Sequence, residues 1–196
     1  MGVSLCNIQN RGCCYYFPKF TLLDIHRMSK SLKGLNTLEL IKNNPNTITK
    51  EFALHSKGHF DENRYKKHLE DDVIIGNGLI KDQSVFFKAC PFIKPNFGCT
   101  IDPEFRSLVC NFFICHEVLD SIGDKNLLER YLSERSSYAN WCHWENEGLR
   151  HLLMENNINL INNYYKVIEY LQSIPLNIYE FPNLPKVDFN IHELSV

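Results

Sequence analysis

The clearest pattern of hydrophobic and polar positions lies in the last third of the chain. From Asp124 onward, apolar residues recur every three or four positions, which is the spacing of one face of an α-helix. Pro175 ends the third run because proline cannot continue a helix, and the polar tail beyond it is predicted to be extended along the surface. The pattern predicts three helices, marked by Leu127, Leu128, Tyr131 and Leu132, by Tyr138, Trp141, Cys142, Leu149, Leu152 and Leu153, and by Leu160, Ile161, Tyr164, Tyr165, Ile168 and Leu171.

A further helix is predicted near the N-terminus, over residues 22–32. Thr21 and Asp24 have the spacing of a capping box, in which two side chains satisfy the first backbone N–H groups of a helix. The apolar residues that follow share one helical face, and they are Leu22, Ile25, Met28 and Leu32.

The middle of the chain is more polar and mixes weaker signals. Residues 34–70 are rich in Asn and Lys and are interpreted as an elaboration over the core. They favour short helices at 37–43 and 61–70. VIIGNGLI at 73–80 is typical of two short strands around a Gly-Asn-Gly turn, and SVFFKA at 84–89 alternates like a strand.

These elements predict a small α+β fold with few short strands and a C-terminal helical layer. A chain of 196 residues fits a single domain, 1–196. We divide it into a core over 1–120, which carries the 34–70 insertion, and a helical region over 121–196.

Composition and charge argue against several classes of function. Hydrophobic residues make up 44% of the chain and charged residues 22%, which is ordinary for a globular protein that needs no disulfides to fold. The net charge of −2 provides no field that would attract nucleic acid. The first residues lack the basic and apolar regions of a signal peptide, and no apolar run approaches the roughly 18 residues of a membrane helix. We therefore expect a cytoplasmic protein with reduced thiols that binds neither nucleic acid nor membrane.

The most distinctive chemistry lies in a cysteine-rich stretch from Cys90 to Cys115. It holds four of the eight cysteines, and an adjacent pair, Cys13–Cys14, lies far upstream. Such a density without a secretion signal indicates a metal site before it indicates disulfides. Because three prolines interrupt the stretch, we predict that it is mostly loop and gains order from metal coordination.

The cysteine spacing leaves the kind of metal site open. The spacings are C-x6-C-C and then C-x8-C-x10-C-x4-C, without the C-x2-C knuckle of a zinc finger. Adjacent side chains diverge, so Cys13 and Cys14 rarely bind one ion. Two metal ions, one polynuclear cluster, or a pair with one spectator would each fit the pattern. Without a metal, the same residues would be buried, inert thiols.

Two neighbouring side chains have weaker signals. His116 directly follows Cys115, and we predict a surface histidine there that could also act as a ligand. Cys142 shares an apolar helical face with Tyr138 and Leu149, so we predict that it is a packing residue.

Two segments, at about residues 6–33 and 88–115, resemble the CxxCxxCC cysteine-cluster family (YkgJ-type), whose members are described as zinc- or iron-chelating. The first segment has a Cys-Cys pair followed by a helix that carries Asp-Ile-x-Arg. The second has Cys-Pro-Phe, Gly-Cys-x-Ile, and then a spaced arginine, cysteine and phenylalanine. The matching residues are Cys13, Cys14, Asp24, Ile25, Arg27, Cys90, Pro91, Phe92, Gly98, Cys99, Ile101, Arg106, Cys110 and Phe113.

The chain departs from the family pattern at several positions. Asn7 and Asn10 stand where the family has its first two cysteines, and Cys6 is one residue out of register. Ser107 and Asn111 stand where the family has proline and arginine.

The resemblance implies a metal site whose ligands are Cys13, Cys14, Cys90, Cys99, Cys110 and Cys115. The metal would be zinc or iron, or an iron–sulfur cluster, because a related domain in flagellin lysine methylases is linked to such a cluster. Two alternatives stay open. The cluster could serve an oxidoreductase, an electron carrier or a protein-modification accessory, or the metal could be purely structural in a module that binds a protein partner. Whether the chain is an enzyme is left open by the sequence.

Overall fold

A computed structural model describes residues 17–71, 83–94, 97–114 and 119–187. These residues form helices and small antiparallel sheets, so the predicted α+β class is confirmed. The strands predicted at 73–80, together with Cys6, Cys13, Cys14, Cys115 and His116, lie outside the described residues.

The main sheet has three antiparallel strands in the order β1-β3-β2. Strand β1 spans Lys19–Thr21, β2 spans Thr47–Lys50 and β3 spans Ala53–Ser56. The middle strand β3 pairs with both neighbours, and Phe20 of β1 lies opposite Leu54 of β3. Both side chains are fully buried, so this pair anchors the sheet in the hydrophobic core.

Helix α1, Leu22–Ser29, begins where the sequence predicts, through a complete capping box. The Thr21 hydroxyl accepts a hydrogen bond from the backbone N–H of Asp24. The Asp24 carboxylate in turn accepts one from the backbone N–H of Thr21 at 2.9 Å. Helix α2, Leu32–Lys42, follows almost at once, with Ser31 as its N-cap. Only glycine fits at position 34, because a Cβ atom there would lie 2.0 Å from the carbonyl oxygen of Met28.

From its polar composition we expected the segment 34–70 to lie over the core. In the structure it is also part of the core. It supplies strands β2 and β3 of the main sheet and the buried side chains of Leu38, Ile41 and Leu54. Its last part forms β4, His59–Phe60, and helix α3, Glu62–Asp71, close to the predicted helix at 61–70.

The alternating segment 84–89 is a strand only at its end, so this prediction is wrong for most of its length. Gln83–Phe87 form a 3₁₀ helix, and only β5, Lys88–Ala89, pairs with β4. Tertiary contacts override the strand propensity, because the buried Phe87 ring packs 5.4 Å from Tyr65 and 5.1 Å from His68 of α3.

The first two predicted C-terminal helices are one continuous helix, α5, Lys125–Glu155. No proline or glycine interrupts residues 125–147, and the Ser136 and Ser137 hydroxyls donate to carbonyls one turn back at 3.0 and 3.2 Å. The helix ends at Asn156, and Asn157 takes the left-handed conformation (φ 52°) common after a helix. Helix α6, Tyr164–Ser173, begins four residues after the predicted Leu160.

One hydrophobic cluster joins the sheet, α1, α2, α6 and the last turns of α5. Its buried members range from Phe20 to Leu171, and they include Cys90, Phe92, Ile101 and Phe105 of the cysteine-rich stretch. Within the described residues, no helix has the length and apolar character needed to cross a membrane.

Candidate metal centre

The cysteine-rich stretch begins with a short hairpin that places Cys99. Strands β6, Ile93–Lys94, and β7, Gly98–Cys99, are antiparallel, with Ile93 opposite Cys99. The backbone N–H of Thr100 and its hydroxyl both donate to the Phe92 carbonyl, at 2.8 and 2.9 Å. Gly98 has φ +91°, a conformation that favours glycine, so the shape of the hairpin explains the glycine that precedes Cys99.

The stretch then forms two short helical turns that place Cys110. A 3₁₀ turn at Pro103–Phe105 is capped by Asp102, and helix α4, Leu108–Phe112, follows. Side chains hold these turns to each other: the Arg106 guanidinium donates to the Ile101 carbonyl at 2.9 Å, and the Asn111 amide donates to the Pro103 carbonyl at 2.8 Å.

Ser107 precedes α4 in the N-cap position but makes no capping hydrogen bond. Its buried hydroxyl instead donates to the Cys110 sulfur at 3.2 Å. Ser107 and Asn111 are two of the positions at which the chain departs from the family pattern, and both have a structural role near Cys110.

Cys99 and Cys110 interact electrostatically although ten residues separate them in the sequence. Burial raises the pKa of the Cys110 thiol above its ordinary 9.0, the Ser107 hydroxyl opposes this, and the charges of Cys99 and Asp24 raise the pKa further. Such interactions require proximity. The charge of Cys99 and that of Asp24 in the first turn of α1 thus both act on the Cys110 thiol.

Asp24 and Arg27 of α1 form the expected ion pair next to these thiols, with 3.6 Å between Nη2 and Oδ1. Asp24 is only 6% exposed. Burial raises its pKa, while the Thr21 backbone N–H, the Arg27 charge and the Thr21 hydroxyl oppose that rise. Arg27 also donates to the carbonyl of Glu104 at 3.5 Å. Through this pair, α1 is connected to the turn that precedes Cys110.

A second connection runs from α2 to the same turn and was not predicted. The Lys33 ammonium contacts Asp102 at 2.6 Å and Glu104 at 2.9 Å. These hydrogen bonds raise the pKa of Lys33, and Lys33 in return lowers the pKa of Asp102. No local sequence signal could have identified the contact, because about seventy positions separate the partners.

Cys142 of α5 is half-buried and packs against the core, in keeping with its predicted packing role. Burial raises the pKa of its thiol, while the Tyr138 hydroxyl, which donates to it, and the Arg27 charge lower it. Burial likewise raises the pKa of Tyr138, to about 12. Cys142 thus borders the Asp24–Arg27 pair from the side of α5.

Of the other four predicted ligands, one lies in the core and three fall outside the described residues. Cys90 is 8% exposed and belongs to the hydrophobic core, and Cys13, Cys14 and Cys115 lie outside the described residues. Within the described ranges, none of the cysteines is joined in a disulfide, and no three His, Cys, Asp or Glu side chains are arranged to hold a metal ion. The thiol chemistry fits zinc or iron, but the described ligands alone do not complete a site.

Comparison of the chain with protein-family models, with curated proteins and with solved structures finds no match. The resemblance to the cysteine-cluster family therefore rests on the residues quoted above.

Proposed function

We propose that the protein binds a transition metal, as zinc, iron or an iron–sulfur cluster, through thiolates of its cysteine-rich stretch. The observation that carries this proposal is the environment of Cys110, whose sulfur accepts from the Ser107 hydroxyl at 3.2 Å and interacts electrostatically with Cys99. Thiolates that converge on non-repetitive segments are the usual ligands of such metals. Bound zinc would act as a Lewis acid or stabilise the fold. An iron–sulfur cluster would transfer electrons.

The full ligand set that we propose is Cys13, Cys14, Cys90, Cys99, Cys110 and Cys115. Cys115 directly follows the described Ile114, five positions after Cys110, so the chain can bring it close. Cys14 lies seven positions before Thr21, the N-cap of α1.

The weak regular structure of the stretch also supports the proposal. Its strands have two residues each, and α4 has five residues, none of them buried. A metal bound by several of these thiolates would add folding free energy at the short strands and at the exposed helix α4, where hydrogen-bond ladders contribute little.

The test is metal analysis and an absorption spectrum of the protein purified without oxygen, repeated for single Cys→Ser variants. We expect bound zinc or iron in the wild type, and reduced occupancy in Cys99→Ser and Cys110→Ser. Cys142→Ser is the matched control, because Cys142 borders the same region without belonging to the ligand set, and we expect unchanged metal content.

Hydrogen exchange of the metal-loaded and metal-free protein gives an independent readout. Removing the metal should speed exchange in residues 97–114, whereas the core strand β3 should change less. A wild-type protein that binds neither zinc nor iron, and whose hydrogen exchange is the same with and without added metal, would refute the proposal.

A further inference from the structure

A cleft of about 290 Å³ lies between α2 and α6. At one end, the Lys42 ammonium of α2 donates to the Tyr165 hydroxyl at 2.9 Å, and at the other the Gln172 amide donates to the Ser29 carbonyl at 3.3 Å. The two helices are therefore antiparallel. The cleft follows α6 from Tyr164 to Gln172, roughly 12 Å at 1.5 Å per residue. Its volume is close to the lower limit of small-molecule sites, about 300 Å³.

The inner wall of the cleft is apolar and belongs to the hydrophobic core. Leu38 of α2 and Tyr164 and Ile168 of α6 line it and are buried, and the partly buried Leu35 packs against the same core. An apolar ligand body would remove further apolar surface from water here, which is the main source of affinity in sites of this kind.

Two carboxylates, those of Glu39 and Glu169, line the same cleft. Neither forms an ion pair with any of the described residues, and the hydrogen bond that Glu39 accepts comes from the neutral amide of Asn43, at 3.2 Å. Two carboxylates without a cationic partner beside an apolar wall favour a ligand that carries a positive charge.

The tyrosine pair at one end of the cleft already contacts an ammonium group. The Lys42 Nζ lies 4.5 Å from the ring centroid of Tyr164 and 4.4 Å from that of Tyr165. Aromatic faces at such distances attract cations. The charge of Lys42 is thus directed to the rings at this end, and the carboxylates further along the cleft are left for a second cation.

Tyr164 supplies an independent indication of a ligand. It is 9% exposed, and its hydroxyl is the only buried side-chain oxygen or nitrogen among the described residues that has no hydrogen-bond partner. Burial raises the pKa of Tyr164, and the charges of Glu39 and Tyr165 raise it further, so the hydroxyl stays protonated and can both donate and accept. An unpaired buried hydroxyl costs free energy, and a group that binds beside it explains its presence.

We propose that the cleft between α2 and α6 binds a small organic amine, with the apolar body against Leu38 and Ile168 and the ammonium group at the Glu39 and Glu169 carboxylates. The Tyr164 hydroxyl accepts a hydrogen bond from the same ammonium group. This binding site goes beyond the proposed metal function, because none of its residues is a predicted metal ligand.

The test follows the NMR chemical shifts of the full chain during titration with 2-phenylethylamine and with hexylamine. We expect saturable shifts in residues of α2 and α6. The neutral 2-phenylethanol has the same apolar body as the first amine, and we expect it to bind about tenfold more weakly or less, since the charge-assisted hydrogen bonds are lost.

Variants of the cleft separate the contributions of charge and hydroxyl. Glu39→Gln and Glu169→Gln should each weaken amine binding about tenfold. Tyr164→Phe should weaken it about threefold and, because it removes an unpaired hydroxyl, should leave the Tm of the free protein equal or higher. Tyr170→Phe on the same helix is the matched control, since the Tyr170 hydroxyl contacts Asn156 and not the cleft, and it should leave the affinity unchanged. Circular dichroism verifies that each variant is folded.

Several results would overturn the proposal. They are the absence of saturable binding by both amines, equal affinity for 2-phenylethanol, shifts that lie outside α2 and α6, and unchanged affinity in all three cleft variants. A Tm of Tyr164→Phe below that of the wild type would show that the hydroxyl already has a partner, and this too would overturn it.

Discussion

Helix α1 and the main sheet differ from the cysteine-rich stretch in how their order is maintained. Seven of the eight residues of α1 are buried, and its N-cap makes a complete capping box. In α4, by contrast, no residue is buried, and the N-cap hydroxyl of Ser107 donates to a cysteine sulfur in place of the helix backbone. The first region is stabilised by burial and local hydrogen bonds. In the second, the Ser107 hydroxyl does not cap the helix and instead donates to the sulfur of Cys110, which we propose as a metal ligand.

The two regions are nevertheless connected. Arg27 and Lys33 reach from α1 and α2 to the turn at residues 102–104, and Phe92 packs edge-on against Phe20 at 6.1 Å. Helices α1 and α2 and strand β1 thus hold the thiol-bearing segment through side-chain contacts. Arrangements of this kind, a rigid scaffold with a functional loop, are common at binding sites.

The largest effect that we predict is in the core region. Leu54→Ala on β3 should lower the free energy of unfolding by about 2–5 kcal/mol, because a fully buried leucine leaves a cavity. Urea denaturation measures the loss. Val109→Ala on α4, where the side chain is 41% exposed, should cost less than about 1 kcal/mol. Equal losses in the two variants would mean that the cysteine-rich stretch is as tightly packed as the core.

The second prediction tests the close approach of α1 and α2. Gly34→Ala should lower the free energy of unfolding by about 1–3 kcal/mol, because the added Cβ atom would clash with the backbone carbonyl of Met28. Gly148→Ala on α5 is the matched control, since no atom lies within 4 Å of a Cβ there. It should stabilise the protein by about 0.5–1 kcal/mol through helix propensity. Thermal unfolding of both variants should show shifts of opposite sign, and two shifts of the same sign would contradict this account.

The third and smallest effect is a pH dependence that arises in the core region at His26. This side chain is 3% exposed and its Nε2 lies 3.4 Å from the Ile174 carbonyl. Burial and the charge of Lys30 lower the pKa of His26 below its ordinary 6.5, although Glu145 and two backbone carbonyls oppose this. The unfolded chain therefore binds a proton at a higher pH than the folded chain does.

The sign of the effect follows from that difference. The stability that His26 contributes is fully present above pH 6.5 and is lost as the pH falls below it towards the lowered pKa. Urea denaturation over this range should show a decline that is smaller in His26→Gln. The exposed His143 of α5 is the control, and its replacement by Gln should leave the decline unchanged. If the free energy of unfolding declines just as much in His26→Gln, the decline arises from other titratable groups.

Local signals in the sequence predicted the elements that depend on neighbouring residues. The capping box at Thr21 and Asp24, most of the apolar face of α1 and the helix at 61–70 were found because all the necessary residues lie within a few positions. Leu32, predicted on the same face, instead begins α2 and is 75% exposed. The ion pair between Asp24 and Arg27 has the same origin, since one helical turn separates the two residues.

Where distant contacts decide, the sequence predictions were incomplete. The polar segment 34–70 supplies the middle strand of the sheet because β1 and β2 pair with β3 on both sides. Residues 84–87 form a 3₁₀ helix because Phe87 packs on α3. The ligand set remains a sequence prediction for Cys13, Cys14 and Cys115, while Cys90 has a place in the core.

The sequence by itself determined the α+β class, the start of α1, the density of thiols between Cys90 and Cys115, and the stop at Pro175. Each of these depends on residue type and short-range spacing, which a single sequence displays directly. Only the tertiary structure decided that Arg27 donates to the Glu104 carbonyl, that Lys33 contacts Asp102, and that Tyr179 and Phe181 pack on Tyr138. These contacts join residues tens of positions apart or on separate elements, and they form because burial of apolar surface brings those elements together, which no local pattern records.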